Sequence, residues 1–185
     1  MIFTPLRLRG ALLLDLELHH DERGFFARTW SRSEFEEHGL NPRIEQCGVS
    51  FSPRRGTLRG MHYQAAPHEE AKLVRCTAGV IHDVIIDLRP SSATCTRWEA
   101  VALSAANRRM LYVPEGFAHG FLTLTDHTEV SYQMSEAYRP EAARGVRWDD
   151  PAFAIAWPEP VRVISDRDAS YPDYEPAGVD VVSPR

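Results

Sequence analysis

RRMLYVPEGFAHGFLTLTDHTEVSYQM, residues 108–134, consists of short apolar runs cut by two sets of breakers, Pro114 to Gly116 and Thr125-Asp126. Short runs rich in aromatic and β-branched side chains and closed by turn residues read as strands, since a helix would need a longer stretch with a 3.6-residue period. The upstream segment LVRCTAGVIHDVIIDLRP, residues 73–90, shows the same pattern, alternating or running in β-branched residues on either side of Gly79. Many short strands separated by turn signals predict an all-β chain folded as an antiparallel sandwich or barrel.

Outward from this centre, one stretch reads as a good helix. Ser31 is followed by Glu34 and Ser33 by Glu36, both with capping-box spacing, and Gly39 suits a C-terminal stop, which predicts a short surface helix over 31–39. Beyond Trp157, Pro158, Pro160, Pro172, Pro176 and Pro184 lie among charged residues. The tail is therefore expected to wrap the barrel in irregular segments, to be irregular after about residue 170 and to fray at its end.

The 185 residues hold no internal repeat, no low-complexity linker and no long apolar run, so the chain reads as one domain, 1–185, with no membrane span. The apolar run at Ala11–Leu14 lacks a small-residue cleavage site, which argues against a secretory signal and for a cytoplasmic protein. Cys47, Cys76 and Cys95 are odd in number and form no C-x-x-C pair, so they read as reduced, packed thiols. A net charge of -5 speaks against a nucleic-acid partner, yet a local group of arginines still suits a phosphate-bearing small ligand.

The first cluster with chemical content is Gly56-Thr57-Leu58-Arg59-Gly60-Met61-His62-Tyr63-Gln64, in which a histidine follows a bend at Gly60. Arg59 has the fork to grip a diphosphate and His62 the range to take a proton. Both residues also fit a plain strand with a hydrogen-bonded histidine and a solvated arginine. Lys72, ten residues beyond His62, sits in an alternating strand and points either to solvent or into a lumen; His82-Asp83 and Asp87 follow on the next strand. Pro114-Glu115-Gly116-Phe117-Ala118-His119 matches P-x-G-x-x-H, the second signature of the cupin barrels, in which a tight turn delivers a histidine to the barrel interior. Metal-binding cupins also carry H-x-H in their first signature. Here that place reads His62-Tyr63-Gln64, one imidazole short, which argues against a metal.

Taken together, Asp21-x-Arg23-Gly24-Phe25-Phe26, the run Gly56 to Gln64, Lys72-Leu73-Val74, Asp83-Val84, Asp87-Leu88-Arg89, Pro114-x-Gly-Phe-Ala-His-Gly-Phe, Tyr132, Tyr138, Trp148-x-Asp150-Pro151, Trp157-Pro158 and Ser165-x-x-Asp168 closely resemble the dTDP-4-dehydrorhamnose 3,5-epimerase family. The resemblance implies a cupin, jelly-roll-like antiparallel β-barrel with one or two short peripheral helices. It also implies a homodimer with strand exchange and no cofactor or metal. The implied substrate is a nucleoside-diphosphate 4-keto-6-deoxyhexose, epimerised at C3 and/or C5.

By the same resemblance, His62 is the base, Asp168 orients it, Lys72 faces the C4 oxygen and Tyr132 is the acid on the opposite face. Arg23, Phe26, Gln46, Arg59, His119 and Tyr138 are expected to bind substrate, with Arg23 and Phe26 holding the nucleotide and Arg59 the diphosphate. Arg28 stands where the family often has glutamate, and Gly48 where it often has asparagine. Both positions handle the nucleotide, so the base is left open. The alternatives are a 3-monoepimerase, a ketoisomerase of a related sugar nucleotide, a metal-dependent cupin, or a non-catalytic binding barrel.

Overall fold

The computed structural model describes residues 1–175. Its elements, in chain order, are β1 (Ile2–Pro5), β2 (Leu12–Asp15), β3 (His19–Asp21), β4 (Gly24–Phe26), α1 (Arg32–Glu37), β5 (Gln46–Ser52), β6 (Leu58–Gln64), β7 (Lys72–Ala78), β8 (Val80–Asp87), β9 (Trp98–Ser104), β10 (Met110–Val113), β11 (Phe117–Thr123), β12 (Thr128–Met134), β13 (Ala143–Gly145) and α2 (Asp166–Ala169). The strands form a six-stranded sheet in the order β1-β2-β10-β7-β12-β5, a five-stranded sheet in the order β13-β6-β11-β8-β9, and a separate hairpin, β3-β4. Pairing between the strands is antiparallel throughout. The all-β, cupin-like reading is the one the chain adopts, with two short helices at its periphery.

Strand periodicity explains how two sheets close over one core. Val74, Cys76, Ile81, Ile85, Leu103, Leu111, Val113, Phe117, Phe121 and Val130 meet between them. Successive side chains on a strand point to opposite faces, so the outer faces need covers of their own. Helix α1 covers part of the six-stranded sheet, with Phe35 buried among Leu12, Leu14, Leu73, Met110 and Tyr112. The segment after β13 covers the five-stranded sheet, where Phe153, Ile155, Trp157 and Tyr174 pack on Met61, Val84, Ile86 and Ala118. With both faces covered, β11 is buried along its whole length.

Three local expectations are corrected. Neither capping box forms at α1: Ser31 holds the N-cap position without a side-chain cap bond. Its Oγ meets Ser33 Oγ at 3.1 Å, and Glu34 reaches instead to the Met1 ammonium at 2.7 Å and to Arg28 at 3.3 Å. The helix is held by the burial of Phe35, and it ends as expected at Gly39, whose φ of +67° favours a residue without Cβ. The tail is not irregular throughout, because Ser165 caps a second helix, α2, by accepting from the Asp168 amide at 3.1 Å. Tyr171 to Glu175 carry no regular structure, while Pro176 and Pro184 lie outside the described residues. Cys76 is a packed thiol and Cys95 is half-buried, but Cys47 is exposed on the edge strand β5.

Asp87 is structural. Burial alone would raise its carboxyl, but the Arg89 guanidinium, the Ser92 and Thr94 hydroxyls and the Arg89 amide outweigh burial and hold it at about 2. It thereby pins the loop that follows β8. Among the described residues, no helix is long and apolar enough to cross a membrane.

Candidate active site

The β6–β11 contact sets up the site. Gly60 and Gly120 face each other so closely that a Cβ at Gly60 would lie 2.5 Å from Gly120 Cα, and one at Gly120 would lie 2.7 Å from the Arg59 carbonyl. Only glycine fits at either position. His119 pairs with His62, yet Phe121 pairs with Arg59, so β6 carries one extra residue between Arg59 and His62. Such a bulge re-aims a side chain, and here it brings His62 to the helix α2. Asp168 secures both sides of the bulge: Oδ1 accepts from His62 Nε2 at 2.7 Å and Oδ2 from the Gly60 amide at 3.1 Å.

This pair has the polarity of a catalytic dyad. Burial would raise the Asp168 carboxyl, but the hydrogen bond and charge of His62, with the Gly60 amide and Ser165, pull it below the ordinary carboxylate range. A carboxylate accepting from Nε2–H fixes the tautomer and leaves Nδ1 as the basic nitrogen. The His62 side chain is 41% exposed and that of Asp168 is 7% exposed, so the ring is accessible while its partner is buried.

His62 opens onto a cavity of about 310 Å³ lined by Gln46, Tyr63, Gln64, Glu70, Lys72, Tyr132, Met134, Tyr138, Ala143, Arg144 and Arg167. Lys72 points into this lumen, not to solvent, with its Nζ 3.0 Å from Glu70 and 3.4 Å from the His62 carbonyl. Tyr132, on β12 across the barrel, has its hydroxyl 2.9 Å from Ser50 Oγ. Burial, offset in part by that hydroxyl, pushes its phenol far above the usual range, so it carries its proton at neutral pH. One cavity thus gathers an imidazole backed by a carboxylate, a lysine and a protonated phenol.

The remaining candidates divide. Gln46 and Tyr138 line the cavity and touch, since Gln46 Oε1 accepts from the Tyr138 amide at 2.5 Å. Arg59 lies on exposed surface beside the β5 edge, bonded to Ser52 Oγ and the Phe51 carbonyl. His119 does not line the cavity. It is buried, its Nε2 donates to Asp83 at 2.9 Å, and its ring stands edge-on to Tyr132 at 6.4 Å. Arg23 and Phe26 sit on the β3–β4 hairpin away from the cavity, the arginine paired with Asp21 and the phenylalanine 67% exposed. Arg28 pairs with Glu34, and Gly48 lies opposite Tyr132 with no atom nearer than 4.0 Å to where its Cβ would be.

Sequence reasoning missed Glu70, Tyr63, Met134, Arg144 and Arg167. Glu70 was within reach of a period-2 argument, being two residues before Lys72. Arg167 had only a capping signal to point to it, because Ser165-x-x-Asp168 marks a helix start. Hydrogen bonds to Tyr138 and Tyr171 keep its guanidinium firmly charged. Gln64, at the place of a cupin metal ligand, is spent on the carbonyls of His68 and Ala137 and the amide of Arg139. Among the described residues, no three His, Cys, Asp or Glu side chains gather to hold a metal ion.

Residues 5–175 match the protein-family model for dTDP-4-dehydrorhamnose 3,5-epimerase. The dTDP-4-dehydrorhamnose 3,5-epimerase of Methanothermobacter thermautotrophicus is 43% identical over 172 residues, which span 91% of this chain and 92% of that relative. The crystal structure of the Bacillus anthracis dTDP-4-dehydrorhamnose 3,5-epimerase, with TDP and PPi bound, superposes with a TM-score of 0.90 at 40% identity, covering 94% of this chain and 99% of that one. A 3'-monoepimerase from Streptomyces bikiniensis, in complex with dTDP-quinovose, gives a TM-score of 0.85 at 34% identity, covering 92% and 86%.

Proposed function

Since this chain belongs to the dTDP-4-dehydrorhamnose 3,5-epimerase family, we propose that its cavity inverts C3 and C5 of dTDP-4-keto-6-deoxyglucose, with His62 as the base. A hydrogen next to a ketone is weakly acidic, and both C3 and C5 flank the C4 carbonyl. Removing that proton gives an enolate, and returning one to the opposite face inverts the centre. His62 Nδ1 takes the proton while Asp168 stabilises the imidazolium that forms. Lys72 meets the charge that builds on the C4 oxygen. Tyr132, neutral and across the barrel, returns a proton where His62 does not reach. The reaction moves protons only and calls for no redox partner. A cytoplasmic setting suits a nucleotide-sugar substrate.

The observation that carries the reading is the convergence of His62–Asp168, Lys72 and Tyr132 on one cavity. Incubation in deuterium oxide with the dTDP, UDP, CDP and GDP forms of the 4-keto sugar, followed by proton NMR, tests it. Loss of both the C3 and C5 signals is expected, fastest with the thymidine form. Loss at C3 alone makes the protein a monoepimerase, a reading favoured by its likeness to the Streptomyces bikiniensis enzyme. No loss with any form sinks the assignment.

The nucleotide end points to a second copy. Arg23 and Phe26 are well placed for solvent, not for their own cavity, and the outer face of β5 exposes Val49 and Phe51 at 65% and 52%. Apolar side chains left uncovered next to each other on an edge strand are what an unpaired interface leaves behind. The protein is therefore read as a homodimer that exchanges its β3–β4 hairpins, each lending Arg23 and Phe26 to the partner's nucleotide. Sedimentation at the mass of two chains, shifting to one with Phe51→Glu, is the expected result; a monomeric wild type contradicts it.

A further inference from the structure

We infer that Glu70 is a positioning residue for Lys72, fixing where the ammonium stands to offer its free protons to the sugar. The inference rests on the reading of Lys72 as the partner of the C4 oxygen. An ammonium has three N–H donors. The His62 carbonyl accepts one at 3.4 Å, and Glu70 Oε1 stands 3.0 Å from Nζ as an ion-pair partner. Nζ meets no other hydrogen-bond acceptor among the described residues, and Lys72 lines the cavity. Two fixed contacts therefore hold a side chain whose flexible four-carbon stem would otherwise sample many rotamers.

Glu70 is itself held. Its Oε2 shares, at 3.4 Å, the Gln64 amide protons that also go to the carbonyls of His68 and Ala137. Gln64 is 3% exposed, and its Oε1 accepts from the Arg139 amide. The Lys72 and Glu70 side chains are only 12% and 13% exposed, so this pair is not one of the screened surface contacts that contribute little. A relay of contacts thus runs from buried Gln64 through Glu70 to the Lys72 ammonium. The His62 carbonyl that accepts from Nζ belongs to the same residue whose ring is proposed as the base, so base and cation are located relative to each other.

Steady-state kinetics of Glu70→Ala, Glu70→Gln, Lys72→Met and the double variant Glu70→Ala/Lys72→Met test the relay, with Tm measured alongside. Glu70→Ala is expected to lower kcat by about 10- to 100-fold with KM within about threefold, the mark of lost orientation and not of lost binding. Glu70→Gln should keep more of the activity than Glu70→Ala, because its amide oxygen can still stand against Nζ. In the Lys72→Met background, Glu70→Ala should cost nothing more. Wild-type kcat in Glu70→Ala overturns the inference. An equal loss in Glu70→Gln overturns it, as does the same fold-loss with and without Lys72. Should Lys72→Met alone keep full activity, the enolate role of Lys72 fails first and the relay with it; loss in Lys72→Met with none in Glu70→Ala removes the relay alone.

Discussion

Replacing His62 by alanine is expected to lower the rate of C–H exchange in the 4-keto sugar by about 100- to 10,000-fold, the usual worth of a positioned general base. The reason is geometric as well as chemical. Nδ1 is the nitrogen left free once Nε2 donates to Asp168, and it is set by a strand bulge and a helix cap together. No other imidazole can substitute. The nearest in the fold, His119, is buried and already committed to Asp83. The loss should appear in kcat with a small change in Tm, because His62 is only half-buried and Asp168 keeps the Gly60 amide when the ring is gone. Asp168→Asn is the companion. It keeps the shape but loses the charge that stabilises the imidazolium, so its loss should also fall on kcat. Exchange that continues at the wild-type rate in folded His62→Ala would remove His62 from the chemistry and leave Glu70 as the cavity carboxylate able to take the proton.

The two His–Asp pairs show why burial decides the assignment. His62–Asp168 and His119–Asp83 have nearly the same contact lengths, 2.7 and 2.9 Å. Their side-chain exposures, 41% and 5% for the histidines, separate the imidazole that opens onto the cavity, the proposed base, from one that braces the wall behind Tyr132. Sequence spacing could not make that distinction. P-x-G-x-x-H announced His119 as the residue a turn delivers to the interior, and the turn does deliver it there, but into packing and not into the cavity.

Strand content was legible because alternation and breakers are local properties, as in residues 108–134, and the same locality exposed Gly39 as a helix stop. The capping boxes at Ser31 and Ser33 failed because a capping box is a competition: Glu34 found better partners in the Met1 ammonium and Arg28 than in a backbone amide. Among the residues that came through resemblance, His62, Lys72 and Tyr132 line the cavity from β6, β7 and β12, Asp168 reaches His62 from α2, and only long-range register brings them together. Glu70 and Arg167 stayed hidden for the complementary reason. Each is an ordinary charged residue in its own neighbourhood, and only the closed barrel makes it face the same space as the base.

Tyr132→Phe should separate proton removal from inversion. Its hydroxyl is held by Ser50 at 2.9 Å and keeps its proton well beyond neutral pH, so it can only give a proton or hydrogen-bond, and His62 remains able to take one. In deuterium oxide the variant is expected to exchange the sugar hydrogen that His62 reaches, since the same imidazole can return a deuteron to the face from which it took the proton. Inverted product should fall by about 100- to 10,000-fold, the range for losing a general acid. The ring stays, so the edge contact with His119 and the packing on Val74 and Val130 persist and Tm should move little. Following deuterium content and stereochemistry in the same NMR sample distinguishes the outcomes. Exchange without inversion places the acid at Tyr132. Inversion at the wild-type rate means that the second face is served by another group or by water admitted to the cavity, and the two-sided reading of the barrel falls. Equal loss of exchange and inversion means that Tyr132 helps to bind or orient the sugar before any proton leaves, and the acid role is withdrawn.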